Sequence, residues 1–167
     1  MYLGSPKDEF DVVWNEAKEF LLLQSDREKV VQFVKWMKKK ACLAFGPEPS
    51  FRFPIFRKGI YWAELGENVG SEENKHRPVV LLWSTKEAPI AIVVPLTTQR
   101  LHDEYFFHID LEHFNNTALI EQIRTISLRR ITYPLRAKGR VASVSHQDIA
   151  RIDDAIRKLF TTRHDVT

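Results

Sequence analysis

Apolar positions along the chain follow a helical period at both ends and a strand period between them. Phe10, Val13, Trp14, Ala17 and Leu21 recur at steps of three and four. They follow Ser5-Pro6-Lys7-Asp8, which offers a capping hydroxyl, a proline at the first helical position and a carboxylate three residues on. A second start, Ser25-Asp26-Arg27-Glu28, precedes the stripe Val30, Val34, Met37 and Ala41, and Gly46 sits just past its end. The pattern predicts a helical hairpin over residues 1–45, joined near Gln24. Three prolines and a glycine between Gly46 and Pro54 stop the second helix and predict an extended linker over 46–55.

From residue 56 the period changes. Gly59 to Leu65, Pro78 to Trp83 and Ile90 to Thr97 are β-branched and aromatic runs bounded by Gly, Pro, Ser and Asn. Val79-Val80-Leu81-Leu82 and Ile92-Val93-Val94 are nearly continuous apolar runs, suited to strands buried on both faces or curled around a small barrel. Tyr105 to Ile109, Thr117 to Ile123 and Arg140 to Val144 are shorter candidates. Ser145-His146-Gln147-Asp148 is a capping box, and Ile149, Ile152, Ile156 and Leu159 give the helix behind it an apolar face. The expected class is α+β, mainly β: a hairpin over 1–45, a linker over 46–55, and a curled β domain closed by a helix over 56–167.

Composition narrows the function. The chain has 167 residues, 44% apolar and 28% charged, which suits a folded domain and excludes a disordered chain. The single cysteine, Cys42, excludes an internal disulfide and a zinc site built on two thiolates. No apolar run reaches 18 residues, so no membrane-spanning helix is expected. The early segment is acidic and lacks the basic start of a signal peptide, and a cytoplasmic protein is expected.

The net charge of +3 hides its placement. From Gln122 to Gln147 there is no acidic residue, while Arg124, Arg129, Arg130, Arg136, Lys138 and Arg140 all fall there, with Tyr133 among them. Two readings stay open: a surface for single-stranded nucleic acid, or a solvated face balanced by acids elsewhere. Lys38-Lys39-Lys40 complements a helix C-terminus. His102, Asp103, His108, Asp110, Glu112 and His113 crowd one region without a metal-binding spacing, so no metal is expected. No nucleophile elbow, dinucleotide fingerprint or phosphate loop occurs, and no cofactor is expected.

The most informative segment runs from Val69 to Val80. A polar loop with a glycine leads into a buried strand, with Arg77 at the junction and Pro78 biasing it toward extended geometry. A later strand ends in Val94-Pro95-Leu96-Thr97-Thr98-Gln99. Together with Arg57-Lys58-Gly59-Ile60-Tyr61-Trp62-Ala63-Glu64-Leu65 and Glu121-Gln122-Ile123-Arg124-Thr125-Ile126, these motifs occur in the order of a known family. Over roughly residues 56–160 the chain resembles the MazF/PemK toxins of type II toxin–antitoxin modules. Residues 1–55 lie outside the resemblance.

The resemblance implies a small SH3-like barrel with helices, a homodimer, metal-independent cutting of single-stranded RNA at short sequences, and a cognate antitoxin. By motif, Arg77 and Thr97 match the positions that serve the scissile phosphate, and Glu72 matches a loop acid. Ser71, His76, Thr98, Gln99, Glu121, Gln122 and Arg124 fall within the same motifs and are the expected RNA contacts. In such cleavage the ribose 2′-hydroxyl attacks the adjacent phosphorus. A guanidinium offers forked donors to phosphate oxygens, and a threonine hydroxyl adds one more. The general base stays open among Glu72, Glu121 and His76, although alternation points His76 away from Arg77. For Glu72 and Glu121 a salt bridge, for instance to Arg124, is the competing role.

Four departures stand out. Gly59 replaces an acid, the loop Ser84 to Pro89 is short, Glu73 stands where glutamine is common, and the hairpin is additional. Outside endoribonuclease activity, the alternatives are a non-catalytic, protein-binding toxin of the gyrase-poisoning type and a nucleic-acid-binding regulator.

Overall fold

The computed structural model describes residues 6–85, 87 and 89–162. The chain divides into two compact units, Met1–Ala44 and Phe45–Thr167. In the first, α1 (Pro6–Leu22) and α2 (Arg27–Phe45) form the expected hairpin. The expected cap Ser5 lies outside the described residues. Gln24 donates its side-chain amide to the Phe20 carbonyl at the end of α1, 2.9 Å. Asp26, rather than Ser25, caps α2 by accepting from the Lys29 amide, 2.9 Å. The apolar stripes are only half covered. Ala17, Leu21, Val30 and Met37 are partly buried, while Phe10, Val13, Trp14 and Val34 stay exposed and α2 has no buried residue.

The second unit is a mostly antiparallel β structure. Its strands are β1 (Ile60–Gly66), β2 (Lys75–Ser84), β3 (Ile90–Thr97), β4 (His108–Asp110), β5 (Thr117–Leu119), β6 (Arg124–Ser127), β7 (Ile131–Pro134), β8 (Arg136–Ala137) and β9 (Arg140–Val141), followed by α3 (His146–Thr161). The main sheet runs β4-β5-β3-β2-β1-β7. Strand β3 is shared: Ile90 to Val93 pair with β6, and Leu96 and Thr97 pair with β5. Among the described residues no ladder joins the sheet's two ends. The class is the expected one, but the sheet is not closed into the small barrel implied by the resemblance. Strands β6 and β7 were not expected; each has only four residues, and both lie inside the basic stretch. The expected run Thr117 to Ile123 is a three-residue strand continued by a 3-10 turn, Ile120–Gln122.

Strands β1, β2 and β3 are buried on both faces, which explains their continuous apolar runs. One face packs Ile60, Val80, Val94 and Leu96 against Ile149, Ile152 and Ala155 of α3. The other packs Tyr61, Val79, Leu81 and Val93 against Phe51, Phe53 and Ile55. Helix α3 begins as expected: the Ser145 hydroxyl accepts from the Asp148 amide while the Asp148 carboxylate accepts from the Ser145 amide.

Residues 46–55, expected as a linker, therefore form a layer of this unit. Arg129 donates to the Gly46 carbonyl at 2.7 Å and pairs with Glu48. Tyr61 fastens the other end, its fully buried hydroxyl donating to the Pro54 carbonyl at 2.9 Å and accepting from the Phe56 amide at 3.1 Å. Burial raises the Tyr61 pKa, and the Phe56 amide works against that shift. Gly59 has a steric reason here, since a Cβ would sit 2.5 Å from the Tyr61 hydroxyl. Tyr61→Phe is expected to lower unfolding free energy by about 1–2 kcal/mol by leaving the Phe56 amide without its acceptor. Gly59→Ala should cost about 1–3 kcal/mol by overpacking. Denaturant midpoints at unchanged slope check both.

Candidate active site

The ladder of β2 on β3 fixes the site. Val79 pairs with Pro95 and Val80 with Val94. Beyond that ladder Arg77 is paired with Ala63 of β1 and Thr97 with Thr117 of β5. Arg77 and Thr97 border one surface cleft of about 440 Å³, with Trp62, Thr98, Gln99, Asn116 and Leu135 in its lining. Among the described residues its lining holds no carboxylate, although Glu73 pairs with Arg77. Thr97 is buried, and its hydroxyl accepts from the Gln99 amide at 3.2 Å, which leaves the hydroxyl proton available to a ligand.

Arg77 is held from its own loop. Its Nε donates to the Asn74 carbonyl at 2.8 Å, and Nη1 pairs with the Glu73 carboxylate. The turn that makes this possible places Lys75 at φ 65, the left-handed region, at a cost of roughly 1–2 kcal/mol for a residue with a Cβ. The Glu73 peptide is pinned on both sides. Its amide donates to Gln122 Oε1 at 3.1 Å, and its carbonyl accepts from Asn68 at 2.7 Å and from Arg124 at 3.2 Å. Arg124 also donates to Gln122 Oε1 at 3.3 Å. Two expected RNA contacts, Gln122 and Arg124, thus act in this structure as supports for the loop that carries Arg77.

The other expected site residues fall elsewhere. Ser71 and Glu72 are exposed and do not line the cleft. Glu121 faces His108 Nε2 at 3.3 Å, and His108 Nδ1 meets Asp103 at 2.5 Å. Arg124 donates to the Glu73 carbonyl and the Gln122 amide oxygen rather than to Glu72 or Glu121. His76 turns away from Arg77 as alternation predicts. It stacks on Trp62 with centroids 5.1 Å apart, and its Nε2 lies 2.9 Å from the Thr132 hydroxyl.

In the crowded His/Asp/Glu region the side chains of His102, Asp103, His108 and Asp110 are engaged with neighbouring residues. Desolvation pushes the Asp103 carboxyl up, but hydrogen bonds from His108 and the Tyr105 amide, with the charges of His108 and Arg100, outweigh it and hold it below its ordinary value. His102 reaches Asp110 at 3.2 Å, and Asp110 accepts from Thr117 at 2.5 Å.

Sequence reasoning missed two features. Glu73 is the immediate partner of Arg77; the i, i+4 spacing of opposite charges was its only trace, and that spacing carries weight only on a helix. Trp62, His76 and Tyr133 form an aromatic cluster, with Tyr133 6.0 Å from Trp62 and 5.5 Å from His76. It requires β7 beside β1, a strand the sequence did not reveal.

The family model for "PemK-like, MazF-like toxin of type II toxin-antitoxin system" matches residues 56–160. The chain belongs to this toxin family. It is 26% identical over 112 residues to Endoribonuclease EndoA of Bacillus subtilis, covering 62% of this chain and 91% of that protein. Among solved structures, MazF from Deinococcus radiodurans superimposes with a TM-score of 0.55 at 15% identity, covering 66% of this chain and 99% of that one. A mycobacterial endoribonuclease in complex with its cognate antitoxin gives 0.50 at 13% identity, covering 67% and 100%. These structures establish a MazF-like fold. The hairpin of α1 and α2 lies outside the matched residues, so the site described above lies wholly in the family domain.

Glu73→Gln keeps a hydrogen-bonding side chain beside Arg77 and removes one negative charge from its guanidinium. Polyanion binding is expected to tighten by about fivefold, roughly 1 kcal/mol for one partly screened charge. Fluorescence anisotropy with a labelled single strand reads the change.

Proposed function

We propose that this chain is an endoribonuclease toxin that cuts single-stranded RNA without a metal and is neutralised by a cognate antitoxin. The observation that carries the reading is the cleft whose lining Arg77 and Thr97 share. Membership of the toxin family and the likeness to a named endoribonuclease support the same activity. A homodimer in the cytoplasm completes the reading.

In the proposed reaction the ribose 2′-hydroxyl gives up its proton to a general base as its oxygen attacks the adjacent phosphorus, the bond from phosphorus to the 5′-oxygen breaks, and the 5′-oxygen takes up a proton. The products are a 2′,3′-cyclic phosphate and a 5′-hydroxyl. Negative charge builds on the non-bridging oxygens, and the protein's task is to meet it with fixed donors. Arg77 does so with the guanidinium hydrogens not engaged by Asn74 and Glu73. Its Nε anchor to the Asn74 carbonyl fixes the plane of the fork before RNA arrives, which reduces the reorganisation needed in the transition state. Thr97 supplies a hydroxyl hydrogen from the opposite strand.

Glu72 stays a candidate for contact with the 2′-hydroxyl, since its side chain is exposed on the loop before β2. Glu121 is engaged by His108, which lowers its availability as a base. Ser71, Thr98 and Gln99 are the proposed contacts to flanking nucleotides, the last two because they line the cleft.

The test is RNA cleavage in EDTA with product-end analysis. Arg77→Ala is expected to reduce the rate by about 10²–10³ or more, and Thr97→Val by about 10², each with RNA binding retained. Wild-type cutting that leaves a cyclic phosphate supports the mechanism; an Arg77→Ala protein as active as wild type overturns it.

A further inference from the structure

We infer that the β8–β9 hairpin is a backbone-binding track for single-stranded RNA, continuous with the Arg77 cleft, with Lys138 and Arg140 as its phosphate contacts. This inference rests on the RNA-cutting reading above. The six cations between Gln122 and Gln147 divide into two groups. Arg124, Arg129 and Arg130 are turned inward: Arg124 supports the Glu73 loop, Arg129 holds the Gly46 carbonyl and Glu48, and Arg130 donates to the Glu64 and Leu65 carbonyls at 3.0 and 2.9 Å. Arg136, Lys138 and Arg140 are turned outward. All three are exposed on a tight hairpin whose turn places Lys138 at φ 50 and Gly139 at φ 77.

That hairpin stands between two clefts. One, of about 790 Å³, is lined by Lys138 and Arg140 with His113 and Phe114. The other, of about 420 Å³, is lined by Arg136 and Arg140 with Arg52, Phe53 and Phe56. Neither lining contains a carboxylate, although the chain has 22 acidic residues. Cations around apolar, aromatic floors are what a single strand needs: charge for phosphates, ring faces for bases.

The clefts also adjoin the candidate active site. Leu135 and Asn116 line the Arg77 cleft; Arg136 follows Leu135, and Phe114 accepts from the Asn116 amide at 2.8 Å. The Ala142 amide donates to the Leu135 carbonyl at 2.7 Å, tying the segment after β9 to the rim. A strand seated over Arg77 and Thr97 has this basic hairpin as its next surface. An acidic protein segment could use the same cations, but the adjoining cleft with Arg77 favours RNA.

The experiment measures affinity for long and short fluorescein-labelled polyuridylate across a salt series, in an Arg77→Ala background that keeps the probe uncut. Adding Lys138→Gln and Arg140→Gln should weaken binding of the long strand and make the log–log salt slope shallower by about 1.4, two contacts at ~0.7 each. The short strand should bind unchanged. Lys138→Arg with Arg140→Lys should keep the slope, which separates charge from loss of fold. An unchanged slope in the glutamine variant overturns the track. So does a loss confined to a polyglutamate probe, which would mark the hairpin as a protein-docking face. If Arg77→Ala itself still cuts RNA, the catalytic reading fails while the slope still decides the track.

Discussion

The pairing of β2 with β3 is the constraint on which the site depends. Both strands are buried on both faces, so a slip of one residue would exchange Val80 and Val94 with Val79 and Val93 between two different cores. The register is therefore fixed by packing far from the cleft, and the strands so aligned carry an arginine and a threonine that line the same cleft. The extended segment carrying Phe51, Phe53 and Ile55 contributes to that constraint by covering one of the two faces. The tyrosine that fastens the segment and the glycine that makes room for the tyrosine thus support the register too.

A second layer of control acts through the loop before β2. Gln122 and Arg124 come from the far side of β3, where β6 pairs, and grip the Glu73 peptide. The strand that carries the threonine therefore also anchors, through β6, the clamp on the arginine loop. An unfavourable backbone conformation at Lys75 is maintained by these contacts, an arrangement expected where geometry is valued above stability. The consequence is a guanidinium aimed before substrate arrives, though with part of its charge already answered by Glu73.

How much of this was legible in the sequence follows from the range of each interaction. The helices and β1 to β3 are local patterns of ten or so residues, and their periodicity carried them. Strands β6 and β7 are four residues long, alternate incompletely and sit among arginines, so neither length nor pattern singled them out. The Arg77–Glu73 contact depends on a single left-handed residue between them, which no pairwise motif encodes. Helical stripes in α1 and α2 were readable, but not their exposure: amphipathic spacing tells which residues share a face and not whether another element covers it. Arg77 and Thr97 were nominated by two motifs; the structure adds what motifs lack, their common place in the lining of one cleft.

The basic stretch shows why charge composition alone left two readings open. An arginine whose donors are engaged by backbone carbonyls has few left to offer a ligand; burial and the nearby Arg124 charge lower the Arg130 pKa against the pull of Glu64, yet the guanidinium keeps its charge. An arginine at an exposed turn contributes its whole charge to solvent. Both kinds occur within twenty residues here, so the sum of charges says little about the surface. What discriminates them is exposure: Arg124, Arg129 and Arg130 are partly buried, whereas Arg136, Lys138 and Arg140 stand exposed, Arg136 bonding to the Gly139 carbonyl of its own hairpin. The half that faces out is the half that borders the clefts.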